Sequence, residues 1–294
     1  MERTLRDWRA VVVFVGPAAL LYTIILLIPM VWSFGYTFFK GSPIGGFTFV
    51  GVDNYLRLIS DAKFLKSLWF STQYAIVVSA GQIFFGLLLA LLYVFYLKRA
   101  SALVRTLVFF PVVLPTVAVA QMFVKIFEIA PQYGQVNALL DLVQLDTFIQ
   151  PWLGQGRTAF WVIVIMDIWR AVGFYGILLY AGLVEISDEV IEAARLDGAR
   201  GWNLLQFILL PLLTPVIISS LIFSLNGTLK VFDSVLALTG GGPGATTMPL
   251  TLYMYRTSFS LNNYGYGSTL AVMLTLECLL VTLLVFRKAR RDVL

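Results

Sequence analysis

The stretch EAARLDGARGWNLLQFILLP, Glu192 to Pro211, interrupts a chain that is otherwise almost continuously apolar. It is charged, rich in small residues, and set between two runs long enough to cross a bilayer. A turn between membrane helices needs only a few residues, so this segment holds more than a connection requires. The surrounding composition places it in a membrane. Hydrophobic residues are 59% and charged residues 13% of 294, and mean hydropathy is +0.86. A soluble domain carries about 25% charged residues.

Six apolar runs of span length follow along the chain, at roughly Val11–Phe39, Ser67–Tyr96, Leu103–Phe127, Phe160–Leu183, Leu212–Leu238 and Thr269–Phe286. The fold class expected is an all-α membrane protein with six transmembrane helices. The first run is too long for a signal-peptide core and lacks a small-residue cleavage site, so it reads as an uncleaved helix. Residues 1–66 then form a first helix and outer loop, 67–286 a five-helix core containing a hairpin at 187–211, and 287–294 a basic tail. Basic residues gather at Arg3, Arg6 and Arg9, at Lys98, Arg99 and Arg105, at Arg195 and Arg200, and at Arg287, Lys288, Arg290 and Arg291. With six spans these clusters share one side, which makes both termini and the hairpin cytoplasmic. Pro111 and Pro115 lie in the third run, where they either form a tolerated kink or open a flexible point.

Within the hairpin, Ser187-Asp188-Glu189 starts a helix with a capping hydroxyl and two acids at the positive dipole end. Val190, Ile191, Ala194 and Leu196 supply an apolar stripe. Gly198 suits a left-handed C-cap, a second helix runs from about Ala199, and Pro211 kinks the entry to the fifth span. The same residues closely resemble a known signature. Glu192-Ala193-Ala194, Asp197-Gly198-Ala199 and Ile208-Leu209-Leu210-Pro211 are similar to the motif of permease subunits of binding-protein-dependent ABC importers. Phe49 to Tyr55 (FVGVDNY), Leu238 to Pro243 (LTGGGP) and Tyr264 to Ser268 (YGYGS) resemble the carbohydrate branch, the maltose-type permeases.

The resemblance implies a type I importer in an inner membrane, with two permeases (usually different chains), two ATPase subunits and an extracytoplasmic solute-binding protein. It implies that Glu192, Ala193, Ala194, Asp197, Gly198 and Ala199 couple to the ATPase. It also implies that Trp169, Phe174, Ser224 and Thr228 line a sugar path. Phe174 and Val231 stand where maltose-type permeases carry a tyrosine and an asparagine, so two polar groups are missing. Glycerol-phosphate-type solutes, carried by close relatives of these permeases, are an alternative cargo.

ATP and Mg are expected on the partner subunits and no cofactor on this chain. No G-x-x-x-x-G-K-[ST] stretch occurs, and Gly240 to Gly244 lacks the lysine that would make a phosphate cradle. The chain has no histidine and one cysteine, Cys278, which removes histidine chemistry and any thiolate cluster. Neither an enzyme nor a nucleic-acid partner is expected, since the basic residues sit at span ends. An ion-coupled transporter using Asp167, Lys230 and Glu277 is the remaining rival. Intramembrane charges are costly and usually paired. Asp167 with Arg170, and Lys230 with Asp233, have helical pair spacing. Glu277 has no local partner; it pairs with Lys230, Arg170 or a sister subunit, or it carries protons.

Overall fold

The computed structural model describes residues 8–97, 100–129 and 131–292, without the side chains of Ala10 and 288–292. Arg3, Arg6, Lys98, Arg99 and the side chains of Lys288, Arg290 and Arg291 therefore lie outside the described residues. The chain is mostly helical and divides into two compact units, Met1–Ala62 with Met254–Met273, and Lys63–Tyr253 with Leu274–Leu294.

In the first unit, α1 (Trp8–Tyr22) and α2 (Ile28–Tyr36) are joined by a π-helical turn at Thr23–Leu27. Together they supply a span at Val11–Tyr36 with no buried residue in its most apolar window. A short antiparallel hairpin follows, β1 (Phe39–Ser42) on β2 (Gly46–Phe49), in register Phe39↔Phe49 to Ser42↔Gly46. Next comes α3 (Asp53–Ser60). The FVGVDNY motif has a structural task here. Asn54 is buried and its Nδ2 donates to the carbonyls of Thr37 at 2.8 Å and Phe39 at 2.9 Å. Those carbonyls lie where the first span ends, and the amide satisfies them. The YGYGS motif acts by what it lacks: a Cβ at Gly265 would stand 1.7 Å from the Phe39 carbonyl oxygen. Only glycine permits that backbone approach.

The second unit begins with α4 (Ala62–Leu92), continued by a π segment to Leu97. Its buried face reads Ser67, Ser71, Tyr74, Val78, Gln82, Gly86 and Ala90, a helical stripe of small and polar residues. The third expected span is not straight. Helix α5 (Ser101–Val113) and α6 (Thr116–Ile126) meet at 95°. Leu114 precedes Pro115 and is extended, with φ −69° and ψ 141°, because the proline ring disfavours the helical conformation there. At 1.5 Å per residue these helices measure about 20 and 16 Å, each short of a hydrocarbon core of about 30 Å. Pro111 stays inside α5, so Pro115 makes the break.

Helix α7 (Gln135–Leu142) precedes α8 (Gly156–Val184), the most deeply buried span. At Gly173 a Cβ would lie 2.2 Å from the Val108 carbonyl oxygen, so α5 and α8 touch through backbone. Beyond α9 (Asp188–Leu196), the fifth span differs from expectation at both ends. It runs from Gly201 to Leu229 as α10 (Gly201–Leu204), a π turn at Leu205–Leu209 and α11 (Leu210–Leu229). Pro211 has no N–H for the carbonyl four residues back and its ring crowds it; a wide π turn accommodates this without ending the helix. The helix instead stops at Leu229, is non-helical through Lys230–Phe232, and resumes as α12 (Asp233–Leu238). The freed Val231 carbonyl accepts a hydrogen bond from the buried Thr251 hydroxyl. Helix α13 (Leu250–Tyr255) precedes α14 (Tyr264–Asp292), which contains the last span, Tyr264–Arg287. Leu274, Cys278, Val281 and Val285 of α14 pack with Ala75, Leu225 and Leu229.

Candidate functional site

Two places hold the chemistry the sequence singled out, the 187–211 hairpin and a cavity between spans. In the hairpin, α9 starts after Ser187, whose backbone is extended (φ −64°, ψ 142°) but whose side chain makes no cap hydrogen bond. Asp188 and Glu189 occupy the first turn. The helix ends as expected at Gly198, with φ +91° and open space around it. Gly198 N–H donates to Arg195 O at 3.1 Å and Ala199 N–H to Ala194 O at 2.9 Å. This paired closure is a Schellman motif, and it needs the left-handed glycine. The next helix begins two residues later than expected. Arg200 is extended (φ −137°, ψ 153°) and Gly201 is left-handed at φ +51°, which turns the chain before α10.

The six signature residues divide by exposure. Ala194 is buried, and Ile191 and Ala199 pack with it against Leu179 and Leu183 of α8 and Leu204, Leu209 and Leu213 of the fifth span. Glu192, Ala193, Asp197 and Gly198 face outward. Leu196 does not share the buried stripe; it is 89% exposed at the hairpin tip. Leu196 stands two helical steps (about 200°) from Ala194.

The cavity has a volume of about 240 Å³ and is lined by Tyr74, Gln82, Asp167, Arg170, Tyr175, Ser224, Thr228, Lys230 and Asp233 among others. Asp167 is its organising group. It is 4% exposed, and its carboxylate accepts from the Tyr74 hydroxyl, from Ser234 Oγ at 2.9 Å and from Arg170 Nε at 3.4 Å. A charge held in the membrane is tolerable when so surrounded. Gln82 Nε2 donates to the Asp167 carbonyl at 3.2 Å, and Ser224 Oγ donates to Gln82 Oε1 at 2.7 Å. Ser79 Oγ lies 2.8 Å from Ser224 Oγ and 3.2 Å from Thr228 Oγ1. One polar network thus ties α4, α8, α11 and α12.

The expected side chains fall out differently. Asp167 and Arg170 form the ion pair their spacing suggested. Lys230 and Asp233 form none: the helix ends between them, which removes the i,i+3 geometry, although both line the cavity. Ser224 and Thr228 line it too, but their hydroxyls are engaged inside the protein. Trp169 and Phe174 do not line it. Trp169 packs on Phe123 at 5.8 Å between ring centroids, and Phe174 on Phe223 at 5.8 Å. Glu277 pairs with neither Lys230 nor Arg170. Its Oε1 lies 2.9 Å from Thr72 Oγ1, and its buried Oε2 has no hydrogen-bond partner among the described residues. Sequence reasoning missed Tyr74, Gln82 and Ser234. The signal for the first two was the small and polar stripe of α4; Ser234 carried none, because its helix was expected to be continuous with α11. The LTGGGP segment is a closed turn: Gly241 N–H donates to Thr239 Oγ1 at 3.2 Å and Thr247 Oγ1 to Gly242 O at 2.6 Å.

Against known proteins, the family described as binding-protein-dependent transport system inner membrane component matches residues 82–291. The chain belongs to that family. A probable ABC transporter permease of Pyrococcus horikoshii is 32% identical over 279 residues, 94% of each chain. The trehalose/maltose transport system permease protein of Thermococcus litoralis is 34% identical over 246 residues, 83% of this chain and 81% of that one. The sulfoquinovosyl glycerol permease of Agrobacterium fabrum is 32% identical, covering 97% of this chain and 92% of that one. Among solved structures, a bacterial ABC transporter that imports alginate superimposes with a TM-score of 0.85 at 24% identity, over 99% of this chain and 98% of the other. That likeness establishes the fold. The chain is therefore a multi-pass permease subunit, with the helical architecture its apolar runs announced.

Proposed function

We propose that this permease forms half of the path for a sugar or sugar-like solute in an ATP-driven importer, with the hairpin as the point where ATPase work enters. One observation carries the reading: the two helices that flank the hairpin, α8 and the Gly201–Leu229 helix, also line the cavity, through Asp167, Arg170 and Tyr175 and through Ser224 and Thr228. Ile191 and Ala194 fix the hairpin to both through one apolar cluster. A push on the tip moves them as a body, because packed helices shift rather than stretch. Leu183, in that cluster, and Asp167, in the cavity, are sixteen residues apart on α8, about 24 Å along the axis. That separation lets a cytoplasmic motion reach mid-membrane.

In this reading Glu192, Ala193, Asp197 and Gly198, with the exposed Leu196, dock in the ATPase, which holds ATP and Mg and does the hydrolysis. Ala194 and Ala199 transmit rather than touch. Both termini are cytoplasmic, with the bent α5–α6 pair counted as one crossing. The sugar assignment rests on the relatives, whose names specify trehalose/maltose and sulfoquinovosyl glycerol transport. A cavity of about 240 Å³ lies below the roughly 300–1,000 Å³ usual for ligand sites, which suits a half-site completed by a second, different permease. An external binding protein delivers the solute, and the assembly sits in the cytoplasmic membrane.

Uptake by the assembled complex in proteoliposomes tests this. Labelled oligosaccharide should accumulate only with ATP inside and binding protein outside. Accumulation driven by an ion gradient without the ATPase subunits would refute it, and would favour the ion-coupled use of Asp167, Lys230 and Glu277.

A further inference from the structure

A second cavity, of about 550 Å³, opens where α4 and the fifth span reach the hairpin. Its volume falls within the range of small-molecule sites. Leu91, Phe95 and Leu209 line it, together with the more exposed Arg195, Arg200 and Trp202. Both arginines are exposed, and among the described residues neither makes an ion pair. Trp202 is 67% exposed. The walls come from the ends of two membrane spans, so the groove opens at the level of lipid headgroups. An apolar slot with two cations and an indole at its rim matches an amphiphile with an anionic head and a hydrocarbon tail.

We propose that this groove binds one anionic glycerophospholipid. Its phosphate sits between Arg195 and Arg200, and an acyl chain lies along Leu91, Phe95 and Leu209. Guanidinium groups favour phosphate because they present a planar fork of donors. The lipid then braces the turn at Arg200–Gly201, between the hairpin and the fifth span. A membrane's anionic lipid content thereby sets how firmly the hairpin is held. The inference needs only that the groove lies at the end of two spans. It does not depend on ATP-driven coupling, which uptake measured on the same preparation reports separately.

The test uses the full chain in phosphatidylcholine nanodiscs containing brominated phosphatidylglycerol or, at equal mole fraction, brominated phosphatidylcholine. Quenching of Trp202 is isolated by subtracting the Trp202→Phe variant. Phosphatidylglycerol should quench the Trp202 component more strongly. In Arg195→Gln/Arg200→Gln that preference should fall roughly 30-fold, which is about 2 kcal/mol at about 1.4 kcal/mol per tenfold and follows from about 1 kcal/mol for each basic residue near the surface. Equal quenching by the two lipids would overturn the proposal, as would a preference that survives the double substitution. Loss of the preference on adding inorganic phosphate would make this a free-anion site. Loss on adding the ATPase subunits would make it a protein contact. Either result refutes a bound lipid.

Discussion

Replacing Asp167 by alanine removes the acceptor for three donors at once. The Tyr74 and Ser234 hydroxyls are buried and donate to it, and Arg170, with 26% of its side chain exposed, pairs with it. A hydrogen bond to a charged group contributes about 1.5–3 kcal/mol, so two buried bonds amount to about 3–6. Water partly recovers Arg170, which keeps that contribution small. Breaking a buried charged pair by deleting one partner costs about 3–5 kcal/mol, and the two estimates agree. At about 2 °C per kcal/mol for a chain of this size, the apparent midpoint of thermal unfolding should fall by at least about 6 °C. Asp167→Asn keeps one acceptor oxygen, and a hydroxyl can turn to meet the amide, so it should cost only about 1 kcal/mol. The assay is intrinsic fluorescence on the purified complex in detergent, with uptake measured alongside. An Asp167→Ala protein melting within about 2 °C of wild type would refute the claim that this carboxylate ties the spans together.

Other perturbations probe the rest. Gly173→Val should drive α5 from α8, since even a Cβ meets the Val108 carbonyl at 2.2 Å; overpacking of this kind costs about 1–3 kcal/mol or more, and an unchanged unfolding midpoint would contradict the close approach. Glu192→Lys reverses an exposed charge on the hairpin, so ATP hydrolysis by the assembled complex should persist while uptake falls at least tenfold; wild-type uptake would show that this side chain is not part of the coupling. Glu277→Gln should leave ATP-driven uptake within about twofold, because Thr72 can still donate to the amide oxygen; complete loss would mean that the carboxyl exchanges protons during transport.

Much of the fold was legible because lipid imposes a simple constraint. A span must satisfy its own backbone and present an apolar surface about 20 residues long, so hydropathy alone located the apolar runs that supply the spans, though not the ends of each helix. The breaks were less legible. Pro115 ends α5 and Pro211 does not end the fifth helix, although both are prolines in apolar runs. The difference is whether the helix can widen into a π turn, as at Leu205–Leu209, or the residue before the proline swings out, as at Leu114. The chain break at Lys230–Phe232 has no proline at all, and its freed carbonyl is met by Thr251, twenty residues further on.

The sequence alone determined that this is a multi-span helical membrane protein, that a polar hairpin follows the fourth span, and that Gly198 closes its first helix. Each of these depends on neighbours within a few residues: an unbroken apolar run, or the steric freedom of a glycine at positive φ. Only the tertiary structure decided which signature residues are exposed and which are anchored. It also placed Trp169 and Phe174 on other aromatics outside the cavity, and gave Asp167 its partners on α4 and α12. Those outcomes turn on which helix faces meet, and residues far apart in the chain set that.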